Sequence, residues 1–280
     1  MTYLELIKKC EKQAKLAKMD VGAIKWMFFY SDFHIGYTHL NEVVDNQIAE
    51  QFQQYVNLYI HDKMPPQYIL KKACFYGYDF YVDEHVFIPR NETEQLVEEC
   101  ILRIDRYFEN QPIEVADVCC GRGIIGITIK KEVDNAHVLL FDINEKAIEI
   151  VQKNATQLQV KVDTEVGDFI TPLLQKKVQY DVLICNPPYI RNDAILDEMV
   201  VEHEPNNALF GGVDGLDFYR IIFEHFEELI KEKGFMAFEF GYDQKAELKA
   251  LIEEKLPQYR YEFLKDYASL DRMLFIYKGF

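Results

Sequence analysis

From Pro112 onward the chain alternates short apolar runs with helix-length segments, and that alternation limits the fold more than any other feature. Val115 to Cys119 reads as a strand, Cys120-Gly121-Arg122-Gly123 as a tight turn, and Ile124 to Lys131 as the start of a helix. A second strand, Val138 to Phe141, ends in Asp142 and leads into a helix over about Glu145 to Leu158. A third, Val160 to Val166, is closed by Gly167-Asp168-Phe169. Val182 to Cys185 is apolar at consecutive positions, as expected of a strand buried on both faces of a parallel sheet. A helix over Phe218 to Lys231, a strand over Phe235 to Phe240 and a helix over Gln244 to Leu256 continue the pattern. Tyr259 to Lys265 and Met273 to Tyr277 then read as an antiparallel pair. The fold predicted is α/β, a doubly wound sheet ending in an antiparallel hairpin.

Upstream the texture differs. Residues 1–72 predict a small helical domain: Leu4, Ile7, Ala14 and Ala17 recur at helical spacing, as do Val44, Ile48, Phe52, Tyr55, Val56 and Tyr59. The aromatic run Trp26 to Tyr30 between them suits a helix-bundle core better than a partner surface. Residues 73–90 carry two β-prone runs, FYGYDFYV and HVFI, and predict a hairpin linker. The second domain spans 91–280, opening on a helix with Asn91 as N-cap and Glu94 returning a hydrogen bond to it. Residues 191–217 read as one long irregular loop, and loops of that length are commonly functional.

The net charge of −16 excludes little about fold but something about partners. Residues 1–75 hold nine Lys/Arg against eight Asp/Glu, so the acidity belongs to the α/β part, where it repels phosphate backbones and argues against nucleic acid. The six cysteines lack paired zinc spacing, and no metal is expected. They suit reduced, buried residues of a cytoplasmic protein. Lys8 and Lys9 interrupt any export signal, and no stretch approaches a membrane span.

Two strand ends carry chemistry. The glycine turn Cys119 to Gly123, with Asp142 about twenty residues on at the end of the next strand, has the form of a nucleotide site. The dinucleotide spacing is absent, so an adenosine without phosphates fits better, with Asp168 accepting from the adenine amino group and Phe169 packing on the base. Each also has a plain reading: Asp142 as a helix cap, Asp168 as a turn residue, Phe169 as core. The second end is Asn186-Pro187-Pro188-Tyr189. Two prolines end the ladder. The Asn186 side-chain carbonyl and the Pro187 backbone carbonyl can then accept both hydrogens of a planar NH2 group, with the Tyr189 ring stacked alongside. Such acceptors favour pyramidalisation of a delocalised nitrogen. The alternative is a tight proline loop with no chemistry.

The order PRNETE, DVCCGRG, FDIN, GDF, NPPYI and EPNNALFGGVDGLDFYR resembles the HemK/PrmC-type peptide chain release factor N5-glutamine methyltransferases, over nearly the whole chain. Asn-Pro-Pro-Tyr alone is shared with base-amine methyltransferases; the first and last segments are more specific. The resemblance implies a class I (Rossmann-like) methyltransferase fold acting on the glutamine of the Gly-Gly-Gln motif in class I release factors. It implies S-adenosylmethionine bound by Cys119, Cys120, Gly121, Arg122, Gly123, Asp142, Phe169 and Asn186, with Asp168 beside them as the adenine acceptor already read from the residues. It assigns Asn186, Pro187, Pro188 and Tyr189 to the glutamine pocket, with Asn186, Pro187 and Tyr189 catalytic. A monomer is expected.

Three positions depart from the family pattern: Asn91 stands for a proline, Cys119 for a glycine, and Arg122 for a small residue. The last two crowd the turn and bring a cation near a sulfonium. Two other functions remain open at this point: base-amine methylation of RNA or DNA, and a non-catalytic adaptor that has lost donor binding.

Overall fold

Strands buried on both faces need apolar residues at most positions, and the centre of one sheet supplies them. The computed structural model describes residues 1–196 and 198–280. A two-stranded ladder comes first, β1 (Lys72–Phe75) with β2 (Tyr78–Tyr81). The large sheet contains β3 (Ile113–Val118), β4 (Ala136–Asp142), β5 (Asp163–Val166), β6 (Tyr180–Cys185), β7 (Ile230–Glu239), β8 (Arg260–Lys265) and β9 (Asp271–Lys278). Its order is β5-β4-β3-β6-β7-β9-β8, parallel as far as β7 and antiparallel beyond it. The chain winds outward from β3 to β5, then returns to place β6 on the other side of β3. The crevice at the carboxyl ends of β3 and β6 is therefore the topological switch point.

Alternate residues of these strands serve two cores. Val115, Leu140, Val182 and Ile184 face one, together with Leu96 of α5 (Asn91–Phe108), Ile125 of α6 (Ile124–Glu132) and Ile148 of α7 (Glu145–Gln157). Val118, Phe141, Leu183 and Cys185 face the other. Leu173 of α8 (Thr171–Lys176), Phe223 of α10 (Asp217–Glu224), Phe226 of α11 (Phe226–Leu229) and Ile252 of α12 (Lys245–Lys255) cover that side. The predicted doubly wound sheet with a terminal antiparallel pair is present. The last strand, β9, is not at the edge but lies between β7 and β8.

The chain divides into two compact units. One joins Met1–Lys72 and Val82–Glu84 with α9 (Glu198–His203); the other comprises Ala73–Tyr81, His85–Leu196 and Glu204–Phe280. The first holds α1 (Tyr3–Leu16), α2 (Gly22–Tyr30), α3 (Asn46–His61) and α4 (Pro66–Leu70). Thr2 and Glu5 form a capping box on α1, and Asp45 caps α3. Leu6, Ile7, Ile24, Met27, Phe28, Phe52 and Val56 make its core, against which Met199 packs. Trp26 stacks on Tyr30 at 4.8 Å, outside that core's centre.

Several local expectations are corrected. Asn91 does not cap α5. Arg90 occupies the cap position without a side-chain bond, and Glu94 instead accepts from the Tyr76 amide at 2.8 Å, which the β1–β2 turn brings within reach. HVFI forms no ladder. The third strand begins only at Asp163, and α8 follows Phe169 in a segment to which the sequence pattern assigned no element. The helix expected over Phe218 to Lys231 stops at Glu224, resumes for one turn, and gives way to β7 at Ile230. The predicted irregular stretch 191–217 holds α9 and a 3-10 turn, Asn206–Ala208; residue 197 within it lies outside the described residues. Among the described residues no helix is long and apolar enough to cross a membrane.

Candidate active site

The turn after β3 is a backbone construction. Cys119, Gly121 and Gly123 have φ of +57°, +53° and +82°. Only glycine adopts such values without steric cost, so Cys119 occupies a conformation that favours glycine. The path is held by main-chain bonds: Cys120 N donates to Phe141 O at 3.2 Å and Gly123 N to Cys120 O at 2.8 Å. The buried Asn154 amide donates to the Arg122 carbonyl at 3.1 Å and exchanges two bonds with Tyr81 of β2, fastening the small hairpin to the turn. A Cβ on Gly123 would come within about 3.1 Å of Leu140, Ile127 and Val151, so that glycine serves close helix–strand packing.

Asp142 sits beside this turn at the end of β4. Its Oδ2 accepts from Gly121 N and its Oδ1 from Asn144 N, each at 2.9 Å. The cap of α7 is Asn144, so Asp142 is not a helix cap. Each carboxylate oxygen keeps a lone pair for a ligand hydroxyl. Burial raises its pKa, opposed by those amides. Beneath the turn Asp117 is fully buried, with Oδ2 accepting from Gly126 N at 2.8 Å and Oδ1 without a partner. Burial pushes its carboxyl up to about 7.

At the end of β6, Asn186 Nδ2 donates to Thr93 Oγ1 at 3.4 Å. Its Oδ1 accepts from no protein group among the described residues. Thr93 donates to Glu239 Oε2 at 2.7 Å, and the Tyr189 hydroxyl donates to Glu239 Oε1 at 3.2 Å. Glu239, at the end of β7, is 1% exposed. Burial raises its pKa, opposed by Thr93, Arg272 and Tyr189. Burial and the nearby Glu239 charge also push the Tyr189 phenol well up.

The Asn-Pro-Pro-Tyr backbone is clamped from the far side. Gln244 Nε2 donates to Tyr189 O at 2.9 Å and to Asp214 O at 3.2 Å, and Gly211 N to Ile190 O at 2.8 Å. A Cβ on Gly211 would fall 2.3 Å from Pro188 O, and one on Gly215 2.2 Å from Tyr189 O. Gly211 and Gly215 of the GGVDG segment are thus required by backbone-to-backbone contact, while a Cβ on Gly212 would meet the Asp217 side chain. Arg90 pairs with Glu204 at 2.8 Å, and Glu204 also accepts from Ile88 N, joining the 85–90 segment to the start of this loop.

These elements enclose one cavity of about 260 Å³, far more than ordered water needs. Cys119, Cys120, Gly121, Arg122, Asp142, Asp168, Phe169, Asn186, Pro187, Pro188 and Tyr189 all line it. Gly123 does not; its role is the packing described above. Phe169, at φ +47°, is both core and wall, set edge-on to Phe218 at 5.0 Å.

A family model described as the methyltransferase small domain matches residues 103–206. The release factor glutamine methyltransferase of Bacillus anthracis is 36% identical over 239 residues, spanning 85% of this chain and 84% of its own. That of Clostridium acetobutylicum is 37% identical over 243 residues, 85% of this chain and 83% of its own. The chain belongs to the release factor glutamine methyltransferases. The resemblance carried by the motif series is borne out. Among solved structures, the 16S rRNA N2 G1207 methyltransferase of T. thermophilus covers 74% of this chain and 49% of its own at 16% identity, with a TM-score of 0.52. At that identity the likeness is one of fold.

Within this methyltransferase, the motif reading missed Thr93, Glu239, Gln244 and Glu204. Thr93 lies inside the quoted PRNETE and Glu204 opens EPNNALFGG, so both were in view as segment members without a role. Nothing local in FEFGYDQ marks Glu239 as buried.

Proposed function

We propose that this chain transfers a methyl group from S-adenosylmethionine to the side-chain nitrogen of the glutamine in the Gly-Gly-Gln motif of class I release factors. The observation that carries the reading is the Asn186 amide: its nitrogen is taken up by Thr93, so its oxygen is left for a donor in the cavity that also touches Asp142. Family membership supports the same substrate.

The residues present fit an adenosine-type ligand. Asp142 has acceptor capacity for two ribose hydroxyls, Phe169 offers an apolar wall to the base, and Asp168 accepts from its amino group. Gly121 has nothing within 4 Å of the position a Cβ would take, leaving the backbone open to close approach. When bound, S-adenosylmethionine supplies a methyl group activated by its sulfonium.

Asn186 Oδ1 and the Pro187 carbonyl accept the two hydrogens of the glutamine amide, and the Tyr189 ring packs on its face. Holding both hydrogens aside directs the nitrogen lone pair at the methyl carbon. With the donor bound, the nitrogen would take the methyl group as the donor's sulfur leaves, and would then give up a proton to solvent. No strong base is required, because that proton turns acidic only after alkylation. Residues 1–72 serve to grip the protein substrate, since one glutamine side chain cannot select a release factor.

The test is tritium transfer from S-adenosylmethionine to a purified release factor carrying Gly-Gly-Gln or Gly-Gly-Ala. Labelling confined to the first is expected. Equal labelling of both, labelling of RNA or DNA instead, or no donor binding by calorimetry at millimolar concentration overturns it.

A further inference from the structure

A threonine hydroxyl has one proton, and at Thr93 that proton goes to Glu239 Oε2 at 2.7 Å. What Thr93 Oγ1 then presents to Asn186, 3.4 Å away, is a lone pair. An amide facing a lone pair must turn its NH2 toward it. Its oxygen is thereby directed elsewhere, and Asn186 lines the cavity. A carboxylate can only accept, so Glu239 fixes the sense of this relay from 146 positions away in sequence. Its other oxygen takes the Tyr189 hydroxyl at 3.2 Å, and its carbonyl takes the Tyr219 hydroxyl at 2.6 Å. The side chain is held at two points and the backbone at a third, within a buried setting.

We infer that Glu239 is a positioning residue for methyl transfer: through Thr93 it selects the Asn186 rotamer that offers oxygen to the substrate amide, and through Tyr189 it fixes the ring beside it. The inference rests on the function proposed above. Without the carboxylate, the Asn186 amide has two near-equivalent orientations, and one of them presents NH2 to NH2.

Glu239→Gln is the direct probe, because it keeps shape while adding a donor. Thr93 can then accept from that new NH2 and pass its own proton to Asn186 Oδ1, reversing the amide. Turnover on the Gly-Gly-Gln release factor should fall by about 10–100-fold, as for other orienting partners behind a reacting group. Donor affinity by calorimetry and the KM for the release factor should stay within about twofold, since the amide's orientation matters most as the nitrogen pyramidalises.

Thr93→Val should give the same loss, and Thr93→Ser, which restores the hydroxyl, should recover most of it. In the double variant Asn186→Ala/Glu239→Gln the loss should fall well short of the sum of the two, because the Thr93 branch acts through Asn186 and only the Tyr189 branch is left to lose. Additive losses would make Glu239 a separate structural residue and overturn the inference. So would turnover within about twofold of wild type in a folded Glu239→Gln protein. If Glu239→Gln does not fold, the threonine pair decides: full activity in Thr93→Val, or equal loss in Thr93→Ser, overturns it. Wild-type protein that fails to distinguish Gly-Gly-Gln from Gly-Gly-Ala sinks the functional reading instead, so the two failures are distinguishable.

Discussion

The two strand ends that meet in the cavity are held in opposite ways. After β3, the shape of the turn is written in backbone: amides and carbonyls of Cys120, Gly121, Arg122 and Gly123 carry the bonds that set its path. After β6, the shape is written in side chains, a relay from Asn186 through Thr93 to Glu239 and back to Tyr189. A backbone-held site tolerates varied side chains provided the dihedral angles can be met, as Cys119 does at φ +57°. A side-chain relay has no such latitude. Each member is fixed by what the next can donate or accept.

Asp117 offers the largest test of the backbone-held end, since it props the turn from below through Gly126. Its carboxyl is raised to about 7 by burial. Below about pH 4 the folded and unfolded chains both hold this proton; between about 4 and 7 only the folded chain does. The group's contribution to stability is therefore present at low pH and lost as pH rises through about 7, by roughly 4 kcal/mol across the window. Asp117→Asn keeps an oxygen for Gly126 N and removes the titration. Denaturant melts from pH 4 to 8 should show the wild type losing ground against the variant over that range. Parallel curves would mean that Asp117 is not perturbed.

Asn186→Ala tests the other end directly. Loss of one preorganised acceptor should cost about 2–4 kcal/mol in the chemical step, with donor affinity nearly unchanged. A change confined to binding, with turnover intact, would put Asn186 on the donor side and dissolve the contrast. Asp142→Ala should do the reverse. It removes the acceptor of Gly121 N and Asn144 N as well as the proposed ribose contact, so donor affinity should weaken by about 1–3 kcal/mol while turnover at saturating donor holds. Isothermal titration against S-adenosylmethionine, paired with single-turnover rates, separates the two.

The same contrast explains what was legible in the sequence. The strands β3, β4 and β6 could be read because an apolar run broken by Gly, Asp or Pro is a local signal, and the residues at their ends came with them. The six residues of α8 are too few to show a helical period, and α9 lies hidden in a stretch that reads as loop. Glu94 looked like the partner of a cap three residues away, but a hairpin brought in by tertiary structure offered it the Tyr76 amide. Glu239 was invisible for the same reason. A glutamate in FEFGYDQ reads as solvated until the sheet places it against Thr93 and Tyr189. Backbone-held features are local and leave marks in sequence; side-chain relays join distant positions and leave almost none.

Cys119→Gly gives the smallest and most discriminating effect. At φ +57° a side chain costs energy that glycine does not, of order 1–2 kcal/mol. Against that gain, glycine adds freedom to the unfolded chain by roughly 0.4–1 kcal/mol, and the half-buried thiol loses its packing beside Cys185. The terms nearly cancel, so the melting temperature should move by only a few degrees. Donor affinity should rise modestly or stay level, because the turn already follows the path that glycine would take. An affinity gain above about tenfold would show that Cys119 distorts the turn, and that this end is governed by its side chains after all.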